Sequence, residues 1–131
     1  MIYDEQALAK YRIERCYEAL NDCELLLKSG SVPGALAMGL RAAKEVTHAA
    51  MLIQGNTNIR TESLLYLAAK QVRDGRTQAS SYNAFRNLMD LCQFASERDF
   101  AVVSPSEAGA AIEALKYYIR EMADIVKNAT T

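Results

Sequence analysis

Arg41, Lys44, Glu45 and His48 fall at i, i+3, i+4 and i+7 of one unbroken stretch, and no other side chains in this sequence are better placed by type and spacing to do chemistry. At helical period that spacing gathers them on one narrow stripe. Cleavage of RNA through the ribose 2′-hydroxyl calls for a base that titrates near neutral pH and a cation for the phosphate, so a histidine with an arginine two turns earlier meets the requirement. His48 is the single histidine of the chain. The plainer interpretation of the same four residues is a solvated strip whose charges pair locally.

Arg86-Asn87 is a second candidate, although a two-residue match is weak and an exposed helix surface would account for it. Arg60, Arg73, Arg76, Arg86 and Arg98 collect in the second half of the chain, where helices presenting them together would bind phosphates without catalysis. Tyr66, Tyr82 and Phe100 have rings able to stack on bases, yet core packing is the expected use of all three. No nucleophile constellation, glycine-rich phosphate loop or carboxylate pair appears. Cys16, Cys23 and Cys92 lack paired spacing and sit where small apolar residues belong in helices, so they are expected to be reduced, buried thiols; with one histidine beside them, no metal site is expected, and no cofactor.

Positioning the Arg41–His48 stripe requires the segment from Val32 to Gln54 to be a helix. That segment is apolar around most of its circumference, which demands burial by several neighbours. Its polar stripe aside, Leu36, Ala42, Val46, Ala49, Ala50 and Ile53 form a surface of small apolar residues suited to another helix, and Gly34 and Gly39 are expected to let helices approach closely. Ser31 should cap it, with Pro33 in the first turn where a missing N–H costs nothing. The helix before it should run from about Asp4 to Lys28 on Leu8, Tyr11, Cys16, Leu20, Cys23 and Leu27, with Gly30 as a left-handed stop. Beyond Gly55 the pattern predicts a helix capped by Thr61 and ending near Arg73, with Leu64, Leu65, Ala68 and Val72 as its apolar stripe. A fourth helix should start at about Ser81 and carry Tyr82, Phe85, Leu88, Met89 and Cys92 inward. Ser104-Pro105-Ser106-Glu107 is a capping signature for a fifth, with Ala108, Ala111, Ile112, Leu115, Tyr118, Ile119, Met122, Ile125 and Val126 repeating at three and four to about Lys127.

Together these predict one all-α domain spanning residues 1–131, a five-helix up-and-down bundle built on two long antiparallel helices. A hydrophobic fraction of 50% with 24% charged residues is that of a soluble globular protein, and a net charge of −1 gives no global field toward nucleic acid or an acidic membrane. No run reaches the ~18 uncharged apolar residues of a membrane span, and no leader segment is visible, so a cytoplasmic protein is expected.

Three passages resemble the small HEPN domain proteins of bacteria and archaea: Tyr11-Arg12-Ile13-Glu14-Arg15-Cys16 followed by Leu25-Leu26-Leu27-Lys28-Ser29-Gly30; the ungapped span from Gly30 to Gly55; and Arg98-Asp99-Phe100 followed by Ser104-Pro105-Ser106-Glu107-Ala108. The resemblance covers nearly the whole chain and implies a HEPN-like bundle that pairs as a homodimer. It also implies metal-independent ribonuclease chemistry through an Arg, a polar residue and a His four to six positions on. Here Arg86-Asn87 opens such a motif, but Leu91, Cys92 and Gln93 stand where the histidine would be. Relatives with an Arg-Ala-Tyr-Tyr-Ala segment align it with Met38-Gly39-Leu40-Arg41-Ala42, and a histidine frequent after the central helix aligns with Thr61.

Two functions follow as expectations. One is a catalytically silent dimeric module that binds a protein partner, such as the nucleotidyltransferases often encoded beside HEPN proteins, or RNA, in a toxin–antitoxin or defence setting. The other is a ribonuclease with a rearranged site at His48 and Arg41, or Arg86, assisted in binding by Lys44, Glu45, Asn87 and Arg98.

Overall fold

The computed structural model describes residues 4–55, 61–97 and 103–130, with side chains outside the description at 61–63, 94–97 and 130. Five helices follow in order: α1 Glu5–Lys28, α2 Val32–Ile53, α3 Thr61–Arg73, α4 Ala79–Glu97 and α5 Pro105–Thr130. No strand occurs among the described residues. Helix α2 packs on all four others, as its nearly all-round apolar character requires. Its Ala35, Leu36, Ala42, Ala43, Val46, Ala49, Ala50, Met51 and Leu52 are all buried. Full burial of a side chain such as Leu36 or Met51 contributes about 1.5–3 kcal/mol, and α5 adds Ile112, Leu115, Tyr118, Ile119 and Met122 to the same core.

Register fixes the helix directions. Leu26 lies beside Gly34, Cys23 beside Gly39 and Arg12 beside Glu45, so α1 and α2 run antiparallel along their length. Leu88 beside Gly39 and Cys92 beside Leu36 set α4 antiparallel to α2, whereas Ile112 beside Gly39 and Tyr118 beside Thr47 set α5 parallel to it. The four long helices thus alternate up and down in chain order. The shorter α3 touches only α2 and α4, with Gln71 paired to Gln54 at the carboxyl end of α2 by amide hydrogen bonds of 2.9 and 3.0 Å.

Helix ends follow local chemistry where the signal is local. Asp4 accepts from the Ala7 N–H at 3.1 Å and starts α1. Gly30, at φ +84°, lets the Ser31 N–H reach back to the Leu26 carbonyl at 2.9 Å and close α1. Ser104 Oγ accepts from the Glu107 N–H at 3.1 Å and donates to its carboxylate at 3.1 Å, completing the cap of α5.

Several expectations need correction. Ser31 precedes α2, but its side chain makes no capping hydrogen bond. Tyr11 is 53% exposed; α1 instead buries Ala9, Cys16, Ala19 and Cys23. In α3 the buried positions are Leu64, Leu67, Ala68 and Gln71, with Leu65 and Val72 only partly covered. A Cβ at Gly39 would stand 3.5 Å from Cys23 Sγ and Leu88 Cδ2, an ordinary contact, so the helices there do not approach closely enough to demand glycine. Helix α4 starts at Ala79 because Glu121 of α5 accepts from the Gln78 N–H at 3.0 Å and from the Ser81 hydroxyl, a cap supplied from 40 residues away.

Candidate functional site

Helices α1 and α4 flank α2 without touching each other, and the polar edge of α2 lies open between them. Arg41, Lys44, Glu45 and His48 share that edge, as their spacing predicts. Each is held differently. Arg41 is exposed beside a depression of about 50 Å³ that it lines with Arg15, Glu18, Ala19, Asp22 and Met38. Glu45 receives two hydrogen bonds, at 3.1 and 3.3 Å, from the Arg12 guanidinium of α1. Lys44 sits on the α4 side, close enough to favour the Cys92 thiolate that burial disfavours.

His48 is half-buried. Burial pushes its pKa below the ordinary value of 6.5, the Arg12 and Lys44 cations push in the same direction, and Glu45 opposes them. The ring is therefore neutral at pH 7. Its Nδ1 and the Arg12 Nε are buried with no hydrogen-bond partner. His48 does not line the depression beside Arg41, from which it is separated by about 10 Å of helix rise.

The other candidates are not gathered here. Arg86 and Asn87 are exposed on α4 while Phe85 and Leu88 on either side of them are buried, and no described contact joins them to the α2 edge. Arg98 lies outside the described residues, as do Arg60, Asp99 and Phe100 and the Arg98-Asp99-Phe100 passage. Tyr82 packs partly buried against the core, as expected. Tyr66 does not: it is 61% exposed, with the Arg73 guanidinium 5.4 Å from its ring centroid.

Arg12 is the residue of this site that sequence reasoning missed. Its partner lies 33 positions away on another helix, and only the antiparallel register of α1 and α2 brings the two together. The charge pattern within α1 offers no sign of it.

Cys16 and Cys23 are buried free thiols, with pKa values pushed up to about 12 and about 11 chiefly by desolvation; Cys92 is partly buried and its pKa is raised by the same cause. Among the described residues no group of three or more His, Cys, Asp or Glu side chains is arranged to hold a metal, and no helix is long and apolar enough to cross a membrane. Compared with known proteins, the chain matches no family model and no curated sequence.

Proposed function

We propose that this chain is a catalytically silent HEPN-type module, acting as a homodimer in the cytoplasm, that binds a protein partner such as a nucleotidyltransferase, or RNA, in a toxin–antitoxin or defence setting. The observation that carries the silent reading is the separation of Arg41 from His48. A cleft able to enclose a small ligand has a volume of roughly 300 Å³ or more. The depression at Arg41 is about 50 Å³ and stops short of the imidazole. The carboxylate between them is engaged by Arg12 instead of facing a substrate. Binding is supported by large apolar side chains left uncovered on α1, Tyr11, Tyr17 and Leu25.

Two measurements test this. Light scattering at micromolar concentration should give twice the 14.5 kDa chain mass, and a single-chain mass refutes the dimer. Purified wild type should leave a single-stranded RNA intact; cleavage that His48→Ala abolishes refutes the silent reading.

One observation favours the alternative, a metal-independent ribonuclease with a rearranged site at His48 and Arg41, or Arg86. Burial and neighbouring cations keep His48 in the neutral form that a general base needs. The same cleavage assay decides between the two.

A further inference from the structure

Helix α3 turns Leu64, Leu67, Ala68 and Gln71 inward and presents Tyr66, Lys70 and Arg73 outward. Those three positions are spaced four and three apart, so they form one stripe on the exposed face. Arg73 lies over the Tyr66 ring at 5.4 Å. Just past the helix, Arg76 is exposed and donates to Gln71 Oε1 at 3.4 Å. From the start of α3 to residue 78 the sequence carries the acids Glu62 and Asp74 against three cations, and no ion pair engages Lys70, Arg73 or Arg76 among the described residues. An exposed aromatic ring interleaved with cations that make no ion pair among the described residues is thus built into a chain whose net charge is −1.

We infer that the Tyr66–Lys70–Arg73–Arg76 face binds single-stranded RNA, with one base stacked on Tyr66 and the adjoining phosphates on the cations. This rests on the proposed function only in taking RNA as the partner. The chemistry selects the occupant in three ways. Stacking on an aromatic ring needs a base free of its neighbours, which a single strand supplies and a duplex does not. The local excess of cations suits a polyanion and repels a basic peptide. A lipid surface is disfavoured because the apolar face of α3 is turned into the core, leaving Tyr66 as its one exposed large apolar side chain.

Helix α5 provides an internal comparison. Arg120 lies 5.8 Å from the ring centroid of the exposed Tyr117, the same pairing in outline. There, however, Glu121 and Asp124 line the same groove as the pair, and phosphates would meet carboxylates. Tyr117 should therefore not bind RNA.

The test is fluorescence anisotropy of the full chain with a labelled single-stranded pyrimidine-rich RNA at low salt. Wild type should bind, and the duplex of the same sequence should bind more weakly. Tyr66→Ala should weaken binding about 5- to 150-fold, the range of one lost base stack, while Tyr66→Phe and Tyr117→Ala should bind as wild type does. Lys70→Gln with Arg73→Gln should flatten the dependence of log K on log salt by about 1.4, or about 0.7 for each phosphate contact removed. Equal affinity for the duplex, equal loss in Tyr66→Ala and Tyr117→Ala, or an unchanged salt slope overturns the inference. So does binding to phosphatidylserine vesicles in place of RNA. Wild type that binds no RNA while retaining the dimer mass overturns this inference and leaves the protein-binding module standing. A single-chain mass with Tyr66-dependent RNA binding does the reverse.

Discussion

Removal of one buried hydroxyl at a time should give unequal losses of stability, because the bond between Thr47 and Tyr118 is directional. Thr47 Oγ1 stands 2.7 Å from the Ala43 carbonyl and 2.7 Å from the Tyr118 hydroxyl, and both residues are fully buried. Thr47 has one hydroxyl proton, and the carbonyl can only accept, so that proton goes to Ala43 and Tyr118 must donate to Thr47. Tyr118→Phe then strands no donor and should cost about 0.5–1.5 kcal/mol. Thr47→Val leaves a buried O–H with nowhere to donate and should cost about 1–3 kcal/mol. In the double variant the two apolar groups face each other, and the loss should fall below the sum of the singles by about 1–3 kcal/mol. For 131 residues, unfolding entropy of about 2.1 cal/mol/K per residue converts 2 kcal/mol into roughly 7 °C of Tm. Urea and thermal unfolding at one fixed protein concentration measure all four proteins, because the Tm of any associating chain varies with concentration. If Thr47→Val costs no more than Tyr118→Phe, or if the two losses add, the hydrogen-bond assignment is wrong.

Four further outcomes are expected. Gly39→Ala should raise stability by about 0.5–1 kcal/mol in urea unfolding, because its Cβ meets only ordinary contacts and alanine is the better helix former; Gly39→Val should lower it. Glu121→Ala should cost about 1–2 kcal/mol by releasing the Gln78 N–H and the Ser81 hydroxyl, and amide exchange should accelerate first at the start of α4. The lowered pKa of His48 makes its contribution fully present above the unfolded value of 6.5 and progressively lost as pH falls from there through the folded value, so unfolding from pH 7.5 to 5 should show wild type losing stability that His48→Gln keeps. Iodoacetamide at pH 7.5 should leave Cys16 and Cys23 unmodified in the folded protein and alkylate them in denaturant, since their pKa values of about 12 and about 11 and their burial withhold the thiolate; labelling of either in the native state contradicts the burial.

The helices were legible in the sequence because their signals are local and repeat. On α5 every predicted inward residue except the partly covered Ile125 is buried. The span of α2 followed from Gly30, Pro33 and Gly55 as punctuation, and its need for several neighbours from apolar residues on nearly every side. What stayed hidden depends on distant partners. The start of α4 is set by Glu121, a residue of another helix, so periodicity alone placed it two residues late. Gln71 lies outside the apolar stripe that the pattern predicts for α3, yet it is buried, with its amide hydrogen-bonded to that of Gln54. Tyr11 and Tyr66 failed in the opposite direction, since an aromatic ring at helical spacing suggests a core position.

The candidate site divides along the same line. Four residues seven positions apart at most were enough to place Arg41, Lys44, Glu45 and His48 on one edge, because an α-helix allows no other arrangement. Their spacing carried no information about what each would face. Arg12 captures Glu45 from the neighbouring helix, and the resulting pair separates the exposed Arg41 from a half-buried His48. A guanidinium so placed does more than neutralise a carboxylate. It also lies close enough to hold the imidazole neutral, so Arg12→Gln should both free Glu45 and raise the His48 pKa, two changes of the same sign. Titration of the His48 ring by NMR in the two proteins would read this directly. An upward shift in the variant is expected, whereas an unchanged midpoint would mean that burial alone sets the protonation state and that the α1–α2 ion pair has no influence on the one group in the chain suited to act as a base.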